Sequence, residues 1–147
     1  MLLLAMFANH PLRLVLAAGL VASLLLSTAQ ADEADDSYDV AAGHYAREQW
    51  KLAVKEFESF LERFPQHAKA NQAVFFQAEA LLQLGQIDEA ARRFRQYLQR
   101  DPAGVLTRQA MFRAGESHYL AGHSAEAKTQ LEQFLAKYPG DSLNAYT

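Results

Sequence analysis

The chain has 147 residues, half of them apolar, with a net charge of −3 and no cysteine. This length fits one ordinary domain. The missing cysteine excludes a disulfide framework, a thiolate metal site and a cysteine nucleophile, and it argues against a lipid-anchored bacterial lipoprotein.

Residues 1–31 have the pattern of a secretory signal peptide. A short, weakly basic start ends at Arg13, an apolar run covers Leu14 to Leu26, and small residues Ala29 and Ala31 follow. We expect cleavage after Ala31 and export to the bacterial periplasm. The alternative is an uncleaved helix anchored in the inner membrane, because the apolar stretch could nearly span a bilayer.

The mature chain would be acidic. It contains 13 of the 14 basic residues and all 17 acidic ones, so its net charge is −4. An acidic exported protein is a poor candidate for binding nucleic acid. Residues 32–37 form a short acidic segment before the main domain, and the acidic side chains there are expected to be solvated.

A repeat of 37 residues runs through the rest of the chain. Pro65, Pro102 and Pro139 are 37 residues apart, and the same shift aligns several further columns. These columns are Ala53, Ala90 and Ala127; Phe57, Phe94 and Leu131; Phe60, Tyr97 and Phe134; and Leu61, Leu98 and Leu135. The repeats are predicted over about 38–65, 70–102 and 107–139, within a domain covering 38–147.

Each repeat is predicted to contain two helices. Apolar residues recur at three- and four-residue steps, and Gly85 and Gly122 are expected to end the first helix of their repeats. Glu48 stands at the equivalent position of repeat one, so that turn should be the least ideal. Ser124 is a candidate N-cap for the last second helix. The fold class is therefore all-α.

Small residues are predicted where the two helices of a repeat cross, because close helix packing requires them. They are Ala41, Ala78 and Gly115 on the first helices and Ala53, Ala90 and Ala127 on the second.

This pattern resembles the tetratricopeptide repeat family. The small residue, turn glycine, alanine, bulky residue and closing proline correspond to Ala78, Gly85, Ala90, Phe94 and Pro102. The resemblance covers about residues 36–147 and implies a right-handed superhelical stack of helix-turn-helix units, an α-solenoid. It also implies a non-catalytic protein that binds another protein or peptide.

Two departures from the usual repeat narrow the resemblance. The unit has 37 residues instead of about 34, which places the extra length in the loop between repeats. An aromatic residue (Phe60, Tyr97 or Phe134) stands where alanine is usual. Both features are similar to the envelope branch of the family, which includes the Tol–Pal-associated coordinator of cell division and a lipoprotein of outer-membrane assembly. The resemblance implies a periplasmic scaffold; the alternative is a targeting or accessory domain of a larger exported enzyme truncated after residue 147.

The family resemblance also implies which residues would contact a partner. In this architecture the first helices line the concave face. The implied partner-binding residues are Tyr38, Tyr45, Gln72, Phe75, Glu79, Leu82, Gln109, Phe112, Glu116 and Tyr119. Aromatic and amide side chains of this kind can anchor a peptide, although some of the aromatic rings could instead belong to the core. Because these positions carry no basic residue, we expect a neutral or mildly basic partner.

Other clusters suggest no enzyme, cofactor or metal. His44 and His118 share a repeat position but lie 74 residues apart, too far for a common zinc ion, and no catalytic motif is present. Arg92, Arg93, Arg95 and Arg100 form the one basic cluster. It is expected to be a solvated outer face; the alternative is a peripheral contact with peptidoglycan or acidic lipid headgroups.

The end of the sequence suggests a truncated array. Residues 143–147 read as the start of a fourth first helix, without which Leu131, Phe134 and Leu135 would lose part of their cover. We therefore expect marginal stability and possible self-association through the third repeat.

Overall fold

A computed structural model of the chain describes residues 32–143. The predicted signal peptide and the predicted fourth helix beyond Leu143 lie outside these described residues. The chain divides into two compact units, Met1–Asp35 and Asp36–Thr147. Residues 32–35, the described part of the first unit, are helical. Within the described part of the chain, no helix is both long and apolar enough to cross a bilayer.

The second unit is a stack of helices. These are α1 (36–46), α2 (Trp50–Arg63), α3 (Ala70–Gln83), α4 (Ile87–Arg100), α5 (Thr107–Leu120) and α6 (Ser124–Lys137). From α2 onward each helix packs against the next one in the sequence, and Tyr38 of α1 packs on Phe57 of α2. No strand occurs between residues 32 and 143. The predicted all-α fold is confirmed.

The 37-residue period follows from the lengths of these elements. From α2 to α6 each helix has 14 residues. Three-residue turns join the helices of one repeat, and six-residue loops (64–69 and 101–106) join successive repeats. The longer connection therefore lies between repeats, where the sequence places it.

The turn within each repeat requires a left-handed residue. Gly85 and Gly122 have φ of 72° and 79°, and Glu48 takes the same conformation at 58°. The amide of the residue immediately before each second helix closes the turn by donating to a carbonyl of the first helix, as Gln86 N–H does to Leu81 O at 2.9 Å. Repeat one thus uses glycine's backbone conformation without glycine.

Small residues bring paired helices close together. The five alanines predicted at the crossings are buried. A Cβ added to Gly115 would lie 2.6 Å from the Cδ2 of Leu131, so α5 and α6 approach more closely than an alanine would permit without movement of that leucine. The predicted cap is wrong: Ser124 is the first residue of α6, and His123, which precedes it, makes no side-chain capping bond.

The unusual aromatic residues support the long loops. Phe60, Tyr97 and Phe134 are fully buried. The Tyr97 hydroxyl accepts the Leu106 amide at 3.3 Å, whereas Phe60 packs on His67 with ring centroids 5.7 Å apart. The sequence expectation that Phe134 loses cover is therefore wrong, because the rings of Phe112 and Tyr138 pack against it.

Candidate functional site

A pocket of about 350 Å³ lies between α3 and α5, the first helices of repeats two and three. Its lining residues are Tyr45, Phe75, Phe76, Glu79, Arg108, Gln109, Phe112, Arg113 and Leu143. Four of these are aromatic and four carry a charge or an amide. The pocket therefore combines an apolar floor with a polar rim, as binding sites for small groups commonly do.

The aromatic floor is held in place by the core beneath it. Phe75 is only 4% exposed and contacts Phe94 edge-on at 5.6 Å between centroids. The ring centroid of Phe76 lies 5.1 Å from that of Tyr45 and 5.5 Å from that of Phe75. Because these rings pack on one another and on buried residues, their exposed edges form a preorganised surface.

An ionic bridge crosses from α5 to α3. The Nε of Arg113 donates to Glu79 at 2.9 Å, and its Nη1 donates to Glu116 at 2.7 Å. The carboxylate of Glu79 is largely buried. Burial raises the pKa of Glu79, and the adjacent guanidinium of Arg113 offsets that increase in part. Arg113 thus makes it possible to keep a carboxylate in the wall of an aromatic pocket.

A second ion pair lies at the edge of the pocket. Arg108 Nη1 contacts both carboxylate oxygens of Asp141, at 2.8 and 2.9 Å. The Leu143 amide donates to Asp141 at 2.9 Å, and this hydrogen bond, together with Arg108, lowers the pKa of that carboxyl. These contacts hold the segment after α6 so that Leu143 lines the pocket.

Half of the partner-binding residues implied by the family resemblance line this pocket. They are Tyr45, Phe75, Glu79, Gln109 and Phe112. Glu116 lies beside it through its bond to Arg113.

The remaining implied residues lie elsewhere. Tyr38 is buried against Phe57 and Phe60. Leu82 packs against the core of repeat two. Gln72 is exposed on α3 outside the pocket lining, and Tyr119 is 70% exposed at the end of α5.

Sequence reasoning missed Phe76, Arg108 and Arg113. Phe76 and Arg113 occupy the same repeat position, directly after the implied groove aromatic residue. The available signal was charge: an arginine in one first helix faces a glutamate in the previous one. The implied positions themselves carry no basic residue, but Arg108 and Arg113 beside them bring two arginines to the pocket. Three carboxylates around the pocket (Glu79, Glu116 and Asp141) outnumber its two arginines and leave one net negative charge.

The histidines and the arginine cluster have structural partners. His44 Nδ1 lies 2.6 Å from Gln49 Oε1, and His118 Nε2 lies 3.3 Å from an Arg95 nitrogen. Between residues 32 and 143, no group of three acidic or histidine side chains is placed to bind a metal. Arg92 bonds Glu89, while Arg100 donates to the Pro65 carbonyl at 2.7 Å.

Comparisons with known proteins agree with this architecture. Two family models, each described as a tetratricopeptide repeat, match residues 29–105, more than half of the chain, and residues 109–141. The solved N-terminal domain of stress-induced protein-1 (STI-1) from C. elegans is similar in fold, with a TM-score of 0.66 at 16% identity; the match covers 80% of this chain and 94% of that one. A comparison with curated protein sequences gives no significant match. The chain therefore belongs to the tetratricopeptide repeat family, whose repeats generally serve as protein–protein interaction modules and typically carry no catalytic activity.

Proposed function

We propose that this protein is a binding scaffold of the bacterial cell envelope and holds a segment of a partner protein in the pocket between α3 and α5. The pocket's fixed aromatic floor carries the proposal, because the rings of Phe75, Phe76 and Phe112 line the pocket and Phe75 and Phe112 are otherwise buried in the core. An apolar side chain inserted there would lose contact with water without requiring the rings to move.

The polar rim sets the chemistry of the partner. The Gln109 amide can hydrogen-bond to an extended backbone, and the net negative charge around the pocket favours a neutral or mildly basic segment. The ion pair between Arg113 and the largely buried Glu79 carboxylate links the two helices, so the anchor pocket and the polar groups stay at constant spacing.

The envelope location is supported by residues 1–31 and by the form of the repeat. The pattern of a basic start, an apolar run and small residues is that of an export signal. The 37-residue period with an aromatic residue under each long loop resembles the envelope branch of the family. Fusing alkaline phosphatase after Thr147 in bacterial cells tests the location: an active fusion is expected, and an inactive cytoplasmic fusion would overturn this part of the proposal.

Substitutions at two glutamines in equivalent repeat positions test whether a peptide binds in the pocket. Gln109 and Gln72 are 37 residues apart and both exposed, but only Gln109 lines the pocket. The full chain is titrated by fluorescence anisotropy against a panel of short extended peptides. Each peptide has one central apolar residue and a different flanking charge. Gln109→Trp should block the pocket and weaken the tightest peptide about tenfold or more, whereas Gln72→Trp should leave its affinity unchanged.

Equal binding by both variants would show that the peptide sits elsewhere and would overturn the pocket assignment. These substitutions are preferred to Phe75→Ala and Phe112→Ala, because both phenylalanines pack in the core. Truncating either ring would lower the free energy of unfolding by about 3–5 kcal/mol.

A further inference from the structure

The two arginines that line the pocket between α3 and α5 are more accessible than the buried carboxylates beneath them. The side chain of Arg108 is 41% exposed, and that of its partner Asp141 is 13% exposed. The side chain of Arg113 is 38% exposed, and that of its partner Glu79 is 10% exposed. A segment that enters the pocket would therefore meet the two guanidinium groups before it meets these carboxylates.

The ion pairs use only part of each guanidinium, which has five N–H donors. Arg108 donates to both oxygens of Asp141 through Nη1 alone. Arg113 donates through Nε to Glu79 and through Nη1 to Glu116. Between residues 32 and 143, nothing accepts a hydrogen bond from Nε or Nη2 of Arg108 or from Nη2 of Arg113. Both arginines thus keep donors that a bound segment can use.

The same ion pairs hold the guanidinium groups in place. Arg108 contacts its carboxylate at 2.8 and 2.9 Å. Arg113 is held between two carboxylates, at 2.9 Å from Glu79 and 2.7 Å from Glu116. Because the planar guanidinium is fixed by these contacts, little side-chain freedom is left to lose when its remaining donors bind a ligand.

The spacing of the two arginines matches the repeat of an extended chain. Arg108 and Arg113 are five residues apart on α5, which is about 7.5 Å along the helix axis. In an extended chain the carbonyls on one edge belong to every second residue and are about 6.5–7 Å apart. Two such carbonyls can therefore meet the two arginines. The residue between them can then direct its side chain to the aromatic floor.

The charge around the pocket favours a neutral acceptor over a carboxylate. The three carboxylates already outnumber the two arginines. A carboxylate of the ligand would add negative charge beside Glu116 and Asp141, and like charges in a binding site repel. A backbone carbonyl accepts the same hydrogen bonds without adding charge.

We propose that Arg108 and Arg113 bind two backbone carbonyls of the partner, those of the residues on either side of the apolar anchor. The two arginines thereby select an extended segment and disfavour an acidic one. This role rests on the proposed function, because the segment must occupy the pocket before it can reach either guanidinium.

The first arm of the test changes the peptide. The tightest peptide of the panel, capped at both ends, is prepared with a single backbone ester, whose carbonyl is a weaker acceptor than that of an amide. An ester at the carbonyl of the residue before or after the anchor should weaken binding about three- to fivefold. An ester at the carbonyl of the anchor itself, which points to the opposite edge, should leave binding within about twofold.

The second arm changes the protein. Arg108→Lys keeps the positive charge beside Asp141 but loses the guanidinium fork. It should weaken the unmodified peptide about fivefold, and one of the two effective esters should then lose its effect. The midpoint of urea-induced unfolding should stay unchanged. The matched control is Arg92→Lys, because Arg92 pairs with Glu89 outside the pocket lining; it should leave binding unchanged.

The outcomes separate this role from the pocket assignment. If Gln109→Trp blocks binding while the esters and Arg108→Lys have no effect, the role of the arginines is overturned and the pocket assignment stands. If Gln109→Trp leaves binding unchanged, both are overturned. The role of the arginines also fails if a peptide that ends in a free carboxylate next to the anchor binds more than about fivefold tighter than the capped peptide, since the arginines would then recognise charge.

Discussion

Glu48 is the residue at which repeat one departs from its own template. It holds φ of 58° in the turn where the other two repeats have glycine. A non-glycine residue in this region costs about 1–2 kcal/mol because its Cβ crowds the following carbonyl. The neighbouring Tyr45 and Trp50 rings, 5.3 Å apart, pack across this turn and hold it closed.

Replacing Glu48 by glycine should therefore stabilise the protein. We expect a gain of about 0.5–1 kcal/mol, since relief of backbone strain exceeds the entropy cost of a more flexible unfolded chain. The opposite change, Gly85→Ala, should cost about 1 kcal/mol through the backbone alone, because nothing lies within 4 Å of the added Cβ. The midpoint of urea-induced unfolding measures both changes in stability, provided that the dependence of the unfolding free energy on urea concentration is the same in each variant. A lower midpoint for Glu48→Gly would contradict this account of the turn.

His118 is a buried histidine whose surroundings oppose protonation. Burial and the nearby Arg95 lower its pKa below 6.5, and the acidic Glu126 and Asp88 offset this only in part. Its Nδ1 is buried without a hydrogen-bond partner. Below pH 6.5 the unfolded chain therefore binds more protons at this site than the folded one.

The stability contributed by neutral His118 should be complete above pH 6.5 and be lost as the pH falls toward its lower folded pKa. His118→Leu copies the equivalent Leu81 of repeat two and should remove this pH dependence. Urea unfolding at several pH values between neutrality and mild acid measures the difference between the two proteins. A difference in stability that stays constant across this range would refute the assignment.

At the scale of elements, the aromatic residue near the end of each second helix packs against the segment that follows that helix. The six-residue loop after α4 leaves a space that Tyr97 fills, and its hydroxyl bonds the Leu106 amide just before α5. Phe60 and Phe134 occupy the same position in their repeats and pack on residues that follow their helices. The two departures from the usual repeat are thus physically linked.

The contact between α3 and α5 depends on the Glu79–Arg113 pair. Arg113→Leu should destabilise the protein by about 1–3 kcal/mol, because the largely buried carboxylate of Glu79 loses its partner. Adding Glu79→Gln should restore part of this loss, since a neutral amide tolerates burial better. A double-mutant cycle from urea unfolding measures the coupling. If the two changes were simply additive, the pair would not fix the helices.

The sequence predicted the elements better than the contacts between them. Glycine, proline and alanine recur with the 37-residue period, so the turns, loops and helix crossings could be placed in advance. Arg113 could not, because its column contains Asp39 and Phe76 in the other repeats and has no common chemistry. For Tyr38 the sequence left open a partner contact or a place in the core, and the structure packs its ring in the core of repeat one. A repeat pattern fixes what all units share, whereas a binding site depends on how the units differ.

At the scale of the whole molecule, three similar units produce two dissimilar surfaces. Repeats two and three frame an aromatic pocket with a polar rim, and repeat three also exposes the apolar side chains of Tyr119, Leu120 and Leu135. The pocket arises where the repeats differ in charge, because Arg113 aligns with Asp39 and Phe76.

The most direct test of the central claim is NMR mapping of the pocket with the tightest peptide of the panel. The account predicts that peptide binding changes the chemical shifts of amides of α3 and α5 around the pocket, most strongly at Glu79, Gln109 and Arg113. These changes should be lost in Gln109→Trp. Shifts concentrated on the outer faces of α4 and α6, or shifts that persist unchanged in Gln109→Trp, would contradict it.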